Sequence, residues 1–292
     1  MKQLSVFTRR SLLAWPAAAL AQRAITPGLV TPNVIGQQQL SYTNYVVRSR
    51  WQAGATSLRV MAPTTAAGVE RFEQNPRVVY VLPVLKDITF LYGDGFNEFA
   101  RNDLHNQYGV VMVAPTFTDI PWYGNHVSDA RVQQERYMME DIVPLVDNLY
   151  PRARAKRLLL GFSKSGLGAF TMLMRNVQTF QAAVAWDAPL MLNRFVTGLQ
   201  MDEVYASEEN FRRNFALPAV VDLSAAQLRD SGPRLALLGH SAYGADTSQA
   251  NELLRSYAVP RYFNNEIPLP HTWDSGWIPP AMSYLDKMSS AR

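Results

Sequence analysis

Ser163 and His271 are the residues of this chain best placed, by type and by neighbours, to do covalent chemistry. Gly161-Phe162-Ser163-Lys164-Ser165 matches the nucleophile-elbow pattern G-x-S-x-G, with serine replacing the last glycine. In that pattern a serine sits on a sharp turn between a strand and a helix. The crowding there demands small residues two before and two after it. Around Ser163 these are Gly161 and Ser165, which fit. Around Ser165 they would be Ser163 and Leu167, and leucine is too large. Ser163 is therefore the candidate nucleophile. A small-residue turn with no chemistry also satisfies the bare pattern. The flanking segments favour the catalytic reading. Leu158 to Leu160 read as a buried strand, and Gly168 to Met174 as a helix that would aim free amides and partial positive charge at the serine.

A serine hydroxyl is a poor nucleophile until a base takes its proton, and the base must be oriented by an acid. Elbow serines are followed along the chain first by the acid and then by the histidine. His105 and His126 precede Ser163 and fit that order badly. His240 stands too close to the end of a strand expected to supply the acid. His271 lies on a late loop with Trp273, Gly276 and Trp277, and is the candidate base. Two aspartates compete for the acid. Asp246 follows the strand Leu235–Leu238 and is favoured, although it lies far from the strand end. Asp187 stands directly after the strand Ala182–Trp186 and is the rival. Asp274 is too near His271 in sequence to orient it.

The elements that must position these residues alternate. Tyr45 to Arg50 and Ser57 to Met61 alternate apolar and polar residues, as an antiparallel edge pair does. Val78 to Leu82, Val110 to Ala114, Leu158 to Leu160, Ala182 to Trp186 and Leu235 to Leu238 read as buried strands, with a last short one at Arg261 to Asn264. Helical patterns lie between them, over Val132 to Leu149 (where Pro144 implies a kink), Gln249 to Tyr257 and Pro280 to Met288. Residues 190–230 read as an irregular helical cap. The alternation predicts an α/β fold, a mainly parallel central sheet with helices on both faces. Trp122 and Tyr123, on the loop after Val110–Ala114, are expected to wall the substrate pocket.

The chain has 292 residues, 48% of them hydrophobic and 18% charged, which suits one sizeable domain. There is no cysteine, so disulfides, thiolate metal sites and cysteine nucleophiles are excluded. Nothing calls for a metal or a cofactor. Residues 1–21 hold Lys2, Arg9 and Arg10 and no acid, leaving 25 basic against 24 acidic residues in the remainder. No basic stripe is left to argue for nucleic acid. Thr8-Arg9-Arg10-Ser11-Leu12-Leu13, the apolar stretch to Leu20 and Ala19-Leu20-Ala21 resemble a twin-arginine signal with its cleavage site. The apolar stretch is too short for a stable membrane anchor. The expected organisation is a signal peptide at 1–21, a leader at 22–40 and one catalytic domain at 41–292. The export machinery is then a transient partner, and the protein ends in the periplasm or outside the cell.

In these motifs the chain resembles the α/β-hydrolase superfamily, and within it the bacterial esterases of the esterase D, feruloyl esterase and mycolyltransferase group. The resemblance rests on Gly161 to Gly166, on Gln134-Glu135-Arg136-Tyr137 with Val143-Pro144-Leu145-Val146-Asp147 and Tyr150-Pro151, and on His271-Thr272-Trp273. It implies a hydrolase acting on a small-molecule carboxylic ester through an acyl-enzyme. Related readings are an acyltransferase and a binding protein that has kept the fold without turnover. The resemblance also implies an oxyanion hole made by the backbone amide of Lys164 and by one from the loop after Val78–Leu82. Pro83 has no amide hydrogen, so Leu85 or Val84 is the second donor. A His-Gly pair common at that loop is replaced by Pro83-Val84.

Export carries its own test. N-terminal sequencing of protein purified from its native cell should find a chain that begins near Gln22, and a native chain that begins at Met1 would refute the signal.

Overall fold

The computed structural model describes residues 26–27, 33–35, 38–86, 92–192, 195 and 199–290, those up to residue 40 by backbone alone. The signal at 1–21 lies outside the described residues, as does most of the leader at 22–40. In chain order the strands are β1 (Thr26–Pro27), β2 (Asn33–Ile35), β3 (Gln38–Leu40), β4 (Thr43–Arg48), β5 (Ala55–Met61), β6 (Val78–Val81), β7 (Val111–Pro115), β8 (Arg157–Phe162), β9 (Ala182–Trp186), β10 (Leu235–Leu238) and β11 (Tyr262–Asn264). Among the described residues, nine of them form one sheet in the order β1-β4-β5-β7-β6-β8-β9-β10-β11, and β2 pairs with β3 apart from it. Pairing is antiparallel from β1 to β7 and parallel from β7 to β11.

The central parallel strands β6, β7, β9 and β10 are buried along their whole length, and β8 from Leu158 on, because both faces are covered, whereas the edge strand β11 is partly exposed. Their side chains alternate between two cores. Tyr80, Leu159, Ala183 and Ala185 face one core, which also holds Tyr137, Ile142, Phe170 and Leu217. Val79, Leu158, Leu160, Phe162, Val184 and Trp186 face the other, under Phe96, Phe99 and the closing helix Ile278–Ser290. Helices therefore lie on both faces, as the sequence predicts.

Element ends shift by a residue or two throughout, and two larger departures from the sequence expectation bear on the site. The helix expected from Gln249 begins at Gly244, five residues earlier, which places Asp246 in its first turn. The run at 134–149 is interrupted by a π-helical turn, Tyr137–Ile142, before the segment Val143–Leu149. Val143 there donates to the carbonyl of Met138, a wider step than in an α-helix. Pro144 follows at once, with no amide to give.

Among the described residues, the expected cap is three helices between β9 and β10: Met201–Tyr205, Glu208–Asn214 and Leu217–Arg229. It packs against the helix that follows the elbow, Lys164–Arg175, where Arg175 donates to the Asn214 carbonyl at 2.8 Å.

Trp277 is fully buried and stacks on Trp186, with ring centroids 5.3 Å apart and planes 13° from parallel. It also stacks on Phe162 at 5.9 Å. Trp277→Ala should therefore lower the free energy of unfolding by about 3–5 kcal/mol, the usual scale for a large aromatic lost from a core. Urea denaturation measures this, with Leu223→Ala on the exposed face of the cap as the control expected to change little.

Candidate active site

β8 runs straight into the helix Lys164–Arg175 through Ser163, whose φ of 53° and ψ of −130° lie outside the usual regions for a residue with a side chain. The turn tolerates this because its neighbours leave room. A Cβ on Gly161 would fall 2.0 Å from the Ser165 carbonyl oxygen, so that position must be glycine. Ser165 is fully buried. Its Oγ accepts from the Phe162 amide at 3.0 Å and donates to the Phe162 carbonyl at 2.9 Å. The serine in place of the last glycine thus ties the turn together, and its hydroxyl is engaged. Ser163 makes no capping bond to the helix, so its Oγ is left for another partner.

That partner is His271, whose Nε2 lies 3.0 Å from Ser163 Oγ. The Nδ1 of the same ring lies 2.6 Å from Asp187 Oδ2. An ionised carboxylate only accepts, so Nδ1 carries the proton and Nε2 is free to take the serine's. Asp187 is fully buried. Burial alone would raise its pKa. The bond to His271 and the backbone amides of Tyr243, Ala242 and Ser241 outweigh burial and hold the carboxyl below its ordinary range. The amides lie at 2.8, 3.0 and 3.2 Å.

This arrangement corrects the preference for Asp246. Its carboxylate sits in the first turn of the helix Gly244–Ser256 and accepts the Met191 amide at 2.9 Å. Asp187 occupies the place on the imidazole. The loop after β10 folds back over Asp187 and supplies amides to it. Gly239 allows the fold-back: its φ is +93°, and a Cβ there would press on the Asp187 amide nitrogen at 3.1 Å.

An aromatic cage holds the imidazole. Phe162, Tyr243 and Tyr92 lie 4.5, 5.5 and 5.9 Å from it, centroid to centroid. Its loop is pinned by Trp273, whose amide donates to the Tyr92 carbonyl at 2.8 Å and whose ring covers Gly95. The sequence points to Trp273 and Trp277, while nothing in it marks Tyr92 or Tyr243. Phe162, inside the elbow motif itself, was a visible signal of the cage.

Lys164 is the first residue of its helix, where backbone amides have no intrahelical acceptor. Val84 is buried and Leu85 half-buried; with Arg59, Tyr92 and Trp273 they line a cavity of about 40 Å³ beside the site. Pro83, just before them, is held through its carbonyl, which accepts from the Tyr123 hydroxyl at 2.6 Å.

Tyr123 was expected to wall the pocket, and here the structure corrects the sequence. Tyr123 is 1% exposed and belongs to the core, with its ring against Gly168 and Phe117. Apolar packing won over exposure: a Cβ on Gly168 would meet the ring at 2.1 Å. Trp122 is also buried; its Nε1 donates to the Leu199 carbonyl at 2.8 Å, and its ring lies beneath the Lys164 ammonium. Gln134, from the motif quoted above, accepts the amides of both Trp122 and Tyr123 at 2.8 Å and so shapes their loop. Among the described residues no cluster of acidic residues or histidines could hold a metal ion.

No protein-family model and no curated protein matches this chain. Solved structures do. A ferulic acid esterase superposes with a TM-score of 0.63 over 86% of this chain and 98% of its own, at 16% identity. An S-formylglutathione hydrolase from Agrobacterium tumefaciens reaches 0.67 over 85% and 95%, at 13% identity. FphF, a fluorophosphonate-binding serine hydrolase of Staphylococcus aureus, reaches 0.63 over 85% and 98%, at 15% identity. Likeness at such identities is likeness of fold, and together with the sheet order and the elbow it shows that the chain has the α/β-hydrolase fold.

Proposed function

We propose that this protein is a serine hydrolase that cleaves carboxylic esters through an acyl-enzyme, with Ser163 as nucleophile, His271 as base and then acid, and Asp187 as the orienting carboxylate. The observation that carries the reading is the continuous line from Asp187 through His271 to Ser163, with bonds of 2.6 and 3.0 Å. The names of the similar structures support hydrolysis of an ester or thioester. The Arg9-Arg10 segment supports export to the periplasm or beyond.

In the first step the Ser163 hydroxyl proton passes to His271 Nε2 as Oγ bonds to the ester carbonyl carbon. The buried charge of Asp187 stabilises the imidazolium. The carbonyl oxygen becomes an oxyanion held by the Lys164 amide and by that of Leu85 or Val84, each well-placed donor contributing about 3–4 kcal/mol. The C–O bond to the alcohol breaks, and the alcohol leaves with the proton from Nε2. Water then gives a proton to Nε2 and attacks the acyl carbon. Collapse of the second tetrahedral intermediate returns that proton to Ser163 Oγ and frees the acid.

Two measurements test this. A fluorophosphonate should label the protein on Ser163, and Ser163→Ala should abolish labelling while the fold persists. Ser165→Ala should lose some stability, since it unpairs the Phe162 amide and carbonyl, yet keep the label. An adduct mapped to Ser165 by mass spectrometry, or no adduct on folded protein, would refute the reading. Separately, Asp187→Asn should slow turnover of a chromogenic acetate ester by about 10⁴-fold, the scale for an orienting aspartate replaced in a serine triad. Asp246→Asn should change turnover little, because its place on the Met191 amide can be taken by the Asn carbonyl; the opposite ranking would return the acid to Asp246.

A further inference from the structure

Lys164 follows the nucleophile, and the mechanism above uses only its backbone. Its side chain is placed in a way that the backbone role leaves unexplained. The ammonium sits 4.8 Å from the centroid of the Trp122 ring. Among the described residues it has no carboxylate partner and no hydrogen bond. Burial pushes its pKa down to about 7, with no neighbouring charge among the causes.

An ammonium taken partly out of water without a counter-ion is costly. The start of the helix Lys164–Arg175 adds to the cost, because its dipole disfavours a cation there. The indole face offsets only part of this, about 0.5–2 kcal/mol. An apolar side chain could cover Trp122 with none of the penalty. Asp187 is matched by His271 and three amides, and Asp94, lining the neighbouring cavity, by Arg59 at 2.6 Å. Lys86, which lines that cavity too, is exposed and keeps its water, whereas Lys164, next to Ser163 in the chain, is withdrawn from water with no match among the described residues. Lys164 directly follows Ser163 in the chain, so the anion assigned to it here is one carried by the molecule whose carbonyl Ser163 attacks. A single ammonium presents one compact charge, suited to a monoanion such as a carboxylate, and lacks the fork that favours bidentate groups.

We propose that Lys164 is a specificity-determining residue that pairs with a carboxylate on the ester substrate, so that the preferred substrates are anionic esters. The proposal rests on the reading of Ser163 as nucleophile. The carboxylate can sit on the acyl chain or on the alcohol, and paired substrates distinguish the two.

The test compares kcat/KM for two matched pairs at low ionic strength and pH 6. Mono-4-nitrophenyl adipate against 4-nitrophenyl hexanoate places the charge on the acyl side. 3-Acetoxybenzoate against phenyl acetate places it on the alcohol side. In one pair the anionic ester should be preferred by about tenfold, carried mainly in KM. Lys164→Met should collapse that ratio towards one, and Lys164→Arg should preserve it. Raising the pH to 9 should erode the ratio in the native enzyme and leave it in Lys164→Arg, because arginine stays charged. Tyr205, whose hydroxyl donates to the Trp122 carbonyl, and Tyr123, the next residue after Trp122, are kept neutral by burial. Should Lys164→Met lose all turnover, the pH contrast between the native enzyme and Lys164→Arg still decides. Native enzyme that hydrolyses the neutral esters and shows no anionic preference in either pair overturns the role of Lys164 alone. A preference that survives in Lys164→Met does the same. Protein that neither hydrolyses any ester nor takes up a fluorophosphonate takes the nucleophile reading down with it.

Discussion

Phe162 lies opposite Trp186 in the parallel pairing of β8 with β9, and the site is built on that register. Neighbouring strands are about 4.8 Å apart. Strands that end at the same level deliver their next residues side by side, and here those residues are Ser163 and Asp187. Both leave the sheet with positive φ, 53° and 40°. Each carries the ladder one bond further: the Ser163 amide donates to the Trp186 carbonyl and the Asp187 amide to the Leu238 carbonyl, at 2.9 and 2.8 Å. The two aromatic side chains point to the same face, where Trp277 stacks on both. The loop that brings His271 is therefore anchored on the residues that immediately precede Ser163 and Asp187. A slip of one residue in this pairing would separate the two and turn one aromatic to the opposite core.

The pairing of His271 with Asp187 and not with Asp246 follows from electrostatics as much as from topology. A carboxylate with no exposure needs its lone pairs filled, or it protonates. Asp187 has the imidazole and three consecutive loop amides. Asp246, in the first turn of a helix, accepts one amide among the described residues, that of Met191. The environment that could keep a buried charge was built at the end of β9, and the loop after β10 became its lining.

Much of this was legible in the sequence for local reasons. The elbow declares itself through small residues at fixed offsets, and the strands through apolar runs of the right length. His271 could be chosen because order along the chain and a tryptophan-rich loop both pointed to it. The choice between Asp187 and Asp246 was not legible, because it turned on where a helix starts. Tyr243 stands at that start and makes no side-chain cap, and the apolar pair Leu253-Leu254 comes only at the far end. The signal that would have marked Gly244 is missing. Burial of Trp122 and Tyr123 was hidden for a different reason. It depends on Gln134, eleven or twelve residues away, reaching back to two amides, and on a gap above Gly168 that no periodicity reveals.

The loop of Trp122 and Tyr123 joins two parts of the molecule that look separable. Tyr205, from the first cap helix, donates to the Trp122 carbonyl at 2.6 Å, and the next residue, Tyr123, donates to the Pro83 carbonyl at the same distance. Gly124 completes the seat, since a Cβ there would fall 2.0 Å from the Tyr205 ring. The cap and the strand-end segment ahead of Val84 are thus two ends of one short strut. Such a strut makes the cap a poor candidate for transplantation. A foreign insert between β9 and β10 that lacked a phenol in this position would release Trp122, and with it the prop under Pro83. Recombination that treats the insert as an interchangeable module would disturb the segment at Pro83 from a distance, while designs that keep Tyr205 with its glycine seat would leave the two ends coupled.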